Sequence, residues 1–187
     1  MIALKISPWV KRFAPLVSKD GDVLDLACGS GRHTRHLLSL GHQVVALDRN
    51  IDGIADLASN PSIKIVGADL ETGRPWPFPD RKFTGIVVTN YLFRALFPTL
   101  IDALADDGIL IYETFAVGNE RYGHPRNPDF LLQNNELLDL LKGSLSIIAF
   151  EQGIVEGDPH PRVLQRICAT KRTEDRKSTR LNSSHHR

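Results

Sequence analysis

Hydrophobic positions along the chain group into short runs of strand length, separated from residue 22 onward by helical patterns. The first five runs are almost continuously apolar, which is typical of strands buried on both faces of a parallel sheet. Strands are predicted at 23–27, 43–48, 63–69, 83–90, 108–113, 145–155 and 163–170. Helices are predicted at 32–40, 51–58, 91–105 and 135–142, with a further capped start at Ser7-Pro8-Trp9. This alternation predicts an α/β fold with a doubly wound, mostly parallel sheet.

Three segments depart from the alternation. Residues 71–82 include Arg74-Pro75-Trp76-Pro77-Phe78-Pro79, which cannot form a helix interior and predicts a tight loop. Residues 116–134 are rich in Gly, Asn, Pro and Arg and predict a long loop. Gly157-Asp158-Pro159 is turn chemistry, so the last two strands are predicted to form an antiparallel hairpin. The expected architecture is a Rossmann-like, seven-stranded sheet that ends in this C-terminal hairpin.

Composition indicates one soluble domain. Hydrophobic residues make up 42% and charged residues 24% of 187 residues, which suffices for a single full core. No apolar run approaches the roughly 18 residues of a membrane span, and the start lacks the layout of a secretory signal. We therefore expect a cytoplasmic protein without membrane contact. Residues 173–187 continue no pattern and read like translated sequencing adapter, so a single domain at 1–172 is expected, followed by a disordered, non-native tail.

Charge and metal-ligand spacing argue against some function classes. The tail carries four basic and two acidic residues, so a net charge of +1 for the whole chain becomes −1 for the rest. A near-neutral domain offers no electrostatic footprint for nucleic acid, which makes such a partner unexpected. Cys28 and Cys168 stand alone and are expected to be reduced thiols. His33 and His36 lack a carboxylate or cysteine partner, so no metal site is predicted.

Polar groups follow three neighbouring predicted strands at the edge where such folds bind ligands. Gly29 and Gly31 come after the first strand and let a ligand approach the backbone, although a purely structural turn has the same pattern. Asp48 ends the second strand and either accepts both hydroxyls of a ribose or caps the next helix. Asp69 ends the third strand and, beside the N–H of Leu70, either holds an adenine edge or forms a turn.

With these groups in place, the sequence resembles the class I S-adenosylmethionine-dependent methyltransferases over roughly residues 7–172. The matching segments are Val23-Leu24-Asp25-Leu26-Ala27-Cys28-Gly29-Ser30-Gly31, Val45-Ala46-Leu47-Asp48, Ala68-Asp69-Leu70 and Val87-Val88-Thr89-Asn90-Tyr91. A narrower likeness, carried by residues 128–137, is to small bacterial methyltransferases related to the tellurite-resistance type. Ala27 stands where the family has its first glycine.

The resemblance implies a set of cofactor-binding residues. Asp25 and the Gly29–Gly31 loop would hold the methionine end of S-adenosylmethionine, and Asp48 the ribose. Asp69 with Leu70 would hold the adenine, and Asn90 would face the methionine moiety and the transferable methyl. The full set is Asp25, Ala27, Cys28, Gly29, Gly31, Asp48, Arg49, Asp69, Leu70 and Asn90. Cys28 has a second interpretation as a small packing residue.

NAD is the competing cofactor, because the segment from Gly29 to Thr34 approximates the dinucleotide pattern. Thr34 stands where that pattern requires its third glycine. Asp25 and Asp69 are unnecessary for NAD but expected for S-adenosylmethionine, so methyl transfer is favoured over a dehydrogenase reaction.

Candidates for the acceptor side follow the fourth and fifth strands. Tyr91, Glu113 and His124 are the candidate general bases or hydrogen-bond orienters. Tyr91 and Arg94 equally fit a packed helix surface, and Glu113 equally fits a turn cap. The long loop, whose chemistry-bearing side chains are Phe115, Asn119, Arg121, Tyr122, His124, Arg126 and Phe130, is expected to fold over the site as a lid and set substrate choice.

These features predict an enzyme that methylates a small molecule by in-line transfer. The protein's tasks are then positioning the reactants and excluding water. Two alternatives remain: an RNA or protein methyltransferase, and a regulator that binds S-adenosylmethionine without catalysis. The oligomeric state is not predicted.

Overall fold

A computed structural model describes residues 5–172; the predicted tail at 173–187 lies outside the described residues. The strands are β1 (Asp22–Leu26), β2 (Gln43–Asp48), β3 (Ile63–Gly67), β4 (Phe83–Thr89), β5 (Leu104–Phe115), β6 (Ser146–Val155) and β7 (Arg162–Thr170). The α-helices are α1 (Pro8–Phe13), α2 (Arg32–Ser39), α3 (Phe97–Ala103) and α4 (Glu136–Leu141). Short 3₁₀ helices occur at Ala14–Leu16, Asp52–Leu57, Arg94–Leu96, Asn119–Arg121 and Pro128–Phe130.

The strands form one sheet in the order β3-β2-β1-β4-β5-β7-β6. The first five strands pair in parallel, and β7 pairs antiparallel with both β5 and β6. The order reverses direction beside β1, which places the carboxyl ends of β1 and β4 at the point where doubly wound sheets bind ligands. The predicted seven-stranded, mostly parallel sheet with a C-terminal antiparallel hairpin is confirmed.

Alternate residues of the central strands supply the two core layers. Leu24, Val88 and Tyr112 point into the layer that packs against α3 and α4. Val23 and Ile111 point to the opposite face, where α1 and α2 cover them. Both faces of the sheet are therefore covered, which explains the nearly continuous apolar runs of the sequence.

Three predicted elements differ from the structure. The segment predicted as a helix at 51–58 is a 3₁₀ helix, and the one at 91–105 divides into the 3₁₀ helix at Arg94–Leu96 and α3. β5 begins at Leu104 rather than at Gly108, because Leu104 pairs with Phe83 ahead of an irregularity in the ladder. Turn-forming residues inside that irregularity, including Asp107 at φ 59°, conceal the start of the strand in the sequence. Within residues 5–172, no helix has the length and apolarity needed to cross a membrane.

Candidate active site

A cavity of about 490 Å³ lies along the carboxyl edge of the sheet, from β3 across to β5. Its size falls within the range of roughly 300–1,000 Å³ that is usual for small-molecule and cofactor sites. The residues that line it come from the strand ends and from the long loop, and they are Ala27, Leu47, Asp48, Arg49, Ala68, Asp69, Leu70, Glu71, Asn90, Tyr91, Leu92, Thr114, Phe115, Pro125 and Phe130. Six of the ten predicted cofactor-binding residues are in this lining: Ala27, Asp48, Arg49, Asp69, Leu70 and Asn90.

The turn from β1 into α2 forms the floor beside Ala27. Ala27, Gly29 and Gly31 all have positive φ, at 56°, 55° and 79°. Gly31 caps α2, and a Cβ on it would lie only 2.5 Å from Cγ2 of Ile54. A Cβ on Gly29 would meet no atom within 4 Å. Gly31 is therefore required for packing, whereas Gly29 gives the backbone its tight turn and leaves the space beside it open.

Asp48 fastens this glycine turn to the end of β2. Its Oδ2 accepts a hydrogen bond from the N–H of Gly29 at 2.8 Å, and its Oδ1 accepts one from the N–H of Asn50 at 2.9 Å. A carboxylate offers about four acceptor positions, so roughly two remain for a ligand. Asp48 does not cap the next helix, whose N-cap is Ile51; it orders the glycine turn and lines the cavity, and its binding of a ribose stays a prediction.

Asp69 is placed in a similar way after β3. Its Oδ1 accepts a hydrogen bond from the N–H of Glu71 at 3.0 Å, which forms a turn, while the residue stays exposed at the cavity. Leu70 beside it also lines the cavity and packs against the main core layer. The turn interpretation of Asp69 is therefore correct for one oxygen and compatible with ligand contact at the other.

Asp25 lies under the cavity rather than in its wall. It is 2% exposed, and its Oδ2 accepts a hydrogen bond of 2.6 Å from the hydroxyl of Thr34 on α2. Burial raises the pKa of Asp25 to about 7, although the hydrogen bonds from Thr34 oppose the rise. Cys28 is also buried, against Ala46 and Ile54, and burial raises the pKa of its thiol to about 12. Asp25 supports the glycine turn through α2, and Cys28 is a protonated packing group.

Asn90 and Tyr91 follow β4 at the centre of the cavity. Asn90 has φ 54°, and its N–H donates to the carbonyl of Glu113 at 2.9 Å. The carbonyl of Tyr91 accepts a hydrogen bond of 2.6 Å from the hydroxyl of buried Tyr112. These two bonds fix the turn that directs Asn90 toward the cavity. Burial and the nearby carboxylates, Glu71 first among them, raise the pKa of Tyr91 to about 12, so its phenol is a proton donor at neutral pH.

The other two candidate bases lie outside this lining. Glu113 is 3% exposed, on the sheet face away from the main core layer, where its Oε2 lies 2.7 Å from Nε of Arg166. The two atoms are close but poorly aligned for a hydrogen bond, so the contact is chiefly ionic. His124 lines a second, open groove that adjoins the cavity and shares Pro125 and Phe130 with it. Of the three candidates, the structure brings only Tyr91 to the cavity wall.

The long loop closes one side of the cavity, as the expected lid would. It leaves β5 at Phe115 and returns at Leu132, whose N–H donates to the Phe115 carbonyl at 3.0 Å. Pro125 and Phe130 are its contributions to the cavity wall. The loop therefore encloses a space between its own inner surface and the ends of β4 and β5.

Two buried side chains that the sequence did not identify as anchors hold this loop to β7. Asn119 is fully buried; its Nδ2 donates to the Pro125 carbonyl at 3.3 Å, and its Oδ1 accepts from the N–H of Val163 at 3.1 Å. Gln165 donates to the Gln133 carbonyl, and its Oε1 accepts from the N–H of Leu137 at 3.1 Å. The sequence carried no clear signal for Gln165, because its strand also contains Arg162, Arg166 and Thr170.

Arg94 holds the far part of the loop. Its guanidinium pairs with the carboxylate of Glu136 and donates to the carbonyls of Asp129 and Leu131, each at 2.9 Å. These two carbonyls flank Phe130, so Arg94 fixes the position of that ring at the cavity. The sequence left Arg94 open between substrate contact and packing, and the structure shows a loop clamp.

His33 is part of a buried network beneath the site. Its Nε2 accepts a hydrogen bond of 3.0 Å from the N–H of Ser7, and its Nδ1 lies 3.3 Å from the hydroxyl of Thr89. Burial lowers the pKa of His33 to about 3, so the ring is neutral and its Nδ1 carries the proton. In residues 5–172 no group of three metal-ligating side chains occurs.

Several lining residues were not predicted from the sequence. Glu71, Leu92 and Thr114 each lie one or two residues beyond a predicted strand end. Their position just after a strand was the available signal, because the carboxyl ends of parallel strands meet at one edge of the sheet.

Comparison with known proteins shows which domains this fold is similar to. Residues 23–108 match the family model of a methyltransferase domain. No curated protein matches the chain in sequence.

Solved structures share the fold at low sequence identity. TehB from Haemophilus influenzae superposes with a TM-score of 0.73 at 20% identity, over 89% of this chain and 63% of that one. The chain thus spans less than two thirds of TehB. A methyltransferase dependent on S-adenosylmethionine from Methanosarcina mazei gives a TM-score of 0.68 at 19% identity, over 91% of this chain and 100% of that one.

A third solved structure contains bound S-adenosylhomocysteine. It is the 1,6-didemethyltoxoflavin-N1-methyltransferase of Burkholderia thailandensis with S-adenosylhomocysteine, with a TM-score of 0.67 at 18% identity, over 89% of this chain and 77% of that one. Together with the family model, these likenesses confirm the resemblance read from the strand ends. Residues 23–108 are therefore similar to a methyltransferase domain, and the described chain has the fold of S-adenosylmethionine-dependent methyltransferases, TehB among them.

Proposed function

We propose that the protein transfers the methyl group of S-adenosylmethionine to a small molecule bound in the same cavity. The observation that carries the proposal is the continuity of that cavity, which runs from Asp48 and Asp69 at one end to Phe115 and Phe130 at the other. One end has the carboxylates suited to an adenosyl group, and the other is enclosed by strand ends and loop. A protein that only binds the cofactor has no need of this second compartment.

The residues present fit the cofactor. Asp48 retains acceptor positions for ribose hydroxyls, and the open space beside Gly29 lets a ligand approach the backbone of the turn. Asp69 and Leu70 would bracket the adenine, while Asn90 would face the methionine moiety. Asp25, Cys28, Gly29 and Gly31 act by shaping the turn on which this arrangement depends.

When bound, the sulfonium supplies an electrophilic methyl group, so the protein's own work is positioning and exclusion of water. Asn90 is directed at the centre of the cavity by the hydrogen bond between its N–H and the Glu113 carbonyl. Tyr91 presents a neutral phenol that can donate a hydrogen bond to the acceptor. Phe130, held by Arg94, forms part of the wall on the loop side, where it is 48% exposed.

A small acceptor is favoured over RNA by the charges at the cavity. Its charged lining residues are three acidic ones and one basic one: Asp48, Asp69, Glu71 and Arg49. Such a lining does not attract a phosphate backbone. Two structural neighbours support the same conclusion, since one is the toxoflavin methyltransferase and another a glycopeptide N-methyltransferase, MtfA.

The proposal is tested in two steps. Calorimetric titration with S-adenosylmethionine, S-adenosylhomocysteine and NAD should show micromolar binding of the first two and none of NAD. A labelled-methyl screen of small acceptors and cellular RNA should then label a small molecule. Tighter binding of NAD, or label confined to RNA, would reject the proposal.

A further inference from the structure

The charges of the cavity are confined to one end. Asp48, Arg49, Asp69 and Glu71 follow β2 and β3, at the end assigned above to the adenosyl group. The rest of the lining, which we call the acceptor compartment, is formed by Leu92, Thr114, Phe115, Pro125 and Phe130, with Tyr91 at its border with the charged end, because, besides burial, the nearby Glu71 and Asp69 raise the pKa of its phenol. Among these described lining residues none carries a charge, so an ionised acceptor would lose its hydration there without gaining a charged partner.

Aromatic side chains dominate the acceptor compartment. Tyr91, Phe115 and Phe130 reach it from three different elements, namely the turn after β4, the end of β5 and the loop. Rings from three separate elements favour a flat aromatic ligand, since contacts between aromatic rings add to the gain from burying their area. A flexible aliphatic acceptor would gain only the burial term.

The compartment has no side chain suited to removing a proton at neutral pH. Tyr91 holds its proton because burial raises its pKa to about 12. Thr114 is a buried hydroxyl, and Glu113 beside it in sequence is paired with Arg166 away from the cavity lining. His124 is not among the residues that line the cavity; it lines an adjoining groove that shares Pro125 and Phe130 with it. An acceptor methylated here must therefore attack with a lone pair that is already available.

We propose, resting on the function proposed above, that the acceptor is a small, flat, uncharged heteroaromatic molecule that is methylated at a ring nitrogen without a protein base. The nitrogen lone pair forms the new bond to the methyl carbon as the carbon–sulfur bond breaks, and that bonding pair passes to sulfur. The positive charge of the sulfonium moves to the acceptor ring, and any ring proton then leaves from the product to water. Tyr91 orients the acceptor by donating a hydrogen bond.

The size of the cavity sets a limit on this acceptor. At about 490 Å³, the whole cavity is toward the lower end of the range for one drug-sized ligand, and the cofactor is itself of that size. The space that remains beside Phe115 and Phe130 therefore favours a small acceptor over an oligomer.

The test uses the full chain saturated with S-adenosylhomocysteine and three probes: quinoline, a quinoline carboxylate and cyclohexylamine. Calorimetry first establishes whether S-adenosylhomocysteine binds, and saturation-transfer NMR then ranks the probes. We expect quinoline to bind and both other probes to bind at least about tenfold more weakly. The quinoline carboxylate is the most demanding probe, because His124 and Arg126, which can pair with a carboxylate, line the groove next to the compartment.

Two variants test whether quinoline binds in the acceptor compartment rather than elsewhere on the protein. Phe130 is 48% exposed, so Phe130→Leu should fold normally while removing the ring. It should weaken quinoline binding roughly three- to tenfold and leave S-adenosylhomocysteine binding unchanged. Ile154→Ala is the matched control, since Ile154 is an exposed apolar residue on β6 outside the cavity lining.

Each outcome decides between the two proposals. Failure of S-adenosylhomocysteine to bind rejects the proposed function. Normal binding of S-adenosylhomocysteine with equal or tighter binding of the carboxylate or the amine rejects the inference about the acceptor alone. Binding of none of the probes to the loaded protein, or indifference of quinoline to Phe130→Leu, also overturns that inference.

Discussion

Asp48 has two tasks that one substitution separates. In the free protein it accepts hydrogen bonds from the N–H groups of Gly29 and Asn50, at 2.8 and 2.9 Å. With the cofactor bound, its remaining acceptor positions would take the ribose hydroxyls. Asp48→Ala removes both sets of bonds, whereas Asp48→Asn keeps one oxygen acceptor and loses the charge.

The expected magnitudes differ for the two tasks. Gly29 and Asn50 are exposed, so their N–H groups become hydrated after truncation, and we expect a loss of about 0.5–1.5 kcal/mol in the free energy of unfolding. Hydrogen bonds to a charged acceptor are stronger than neutral ones, although Asp48 is only half-buried. We therefore expect Asp48→Ala to cost about 1–3 kcal/mol in the free energy of cofactor binding. That range corresponds to a roughly 5- to 150-fold weaker affinity. Asp48→Asn should fall between the wild type and Asp48→Ala.

Calorimetric titration with S-adenosylhomocysteine and urea unfolding measure the two effects separately. Asp106→Ala is the control, because Asp106 is an exposed carboxylate near the amino end of β5, at the edge of the sheet opposite the cavity. If Asp48→Ala binds S-adenosylhomocysteine as tightly as the wild type does, Asp48 is not a ribose ligand. If the free energy of S-adenosylhomocysteine binding falls by no more than the free energy of unfolding does, the role of Asp48 is confined to ordering the turn.

Three further predictions concern the loop, the buried carboxyl group and the phenol. Arg94→Ala should lower the free energy of unfolding by about 1–2 kcal/mol and speed hydrogen exchange around Phe130. The affinity for S-adenosylhomocysteine should stay within about twofold of wild type. Unchanged hydrogen exchange would contradict the role of Arg94 in holding the loop. Because the folded state raises the pKa of Asp25 to about 7, its stabilising contribution is complete below the unfolded pKa and is lost as pH rises through about 7. Urea unfolding at several pH values should therefore show wild type losing up to about 4 kcal/mol relative to Asp25→Asn between about pH 4 and 7, and a constant difference would contradict this. Tyr91→Phe should lower turnover of an identified acceptor without changing the shape of its pH–rate profile, whereas loss of a limb of that profile would identify Tyr91 as a base.

The sequence predicted the strand ends well because parallel sheets impose a simple rule. Buried strands must be apolar, so the first polar residue after each run marks the edge where ligands bind. Asp48, Asp69 and Asn90 were found in this way, and all three line the cavity. The start of β5 was not predicted, since the turn chemistry around Asp107 interrupts the apolar run and hides the first part of the strand.

The roles of Glu113 and Arg94 depended on contacts across the fold. Glu113 ends a predicted strand as Asp48 does, but its partner Arg166 lies on β7, which the hairpin brings beside β5. The sequence gives no sign of that pairing, because the two residues are distant along the chain. Arg94 is a comparable case, since its partners Asp129, Leu131 and Glu136 belong to the loop and α4.

The two ends of the cavity also differ in how they are built. Asp48 and Asp69 are held by hydrogen bonds to backbone groups two residues away or in the adjoining turn, so the adenosyl end depends on local geometry that the sequence encodes directly. Phe130 is held by Arg94 from a distant element, so the acceptor end depends on tertiary contacts. Substitutions in the loop can therefore alter the acceptor compartment without disturbing the cofactor end. For this reason the cofactor could be inferred from strand ends alone, whereas the class of acceptor could be argued only after the loop and the strand ends were seen together.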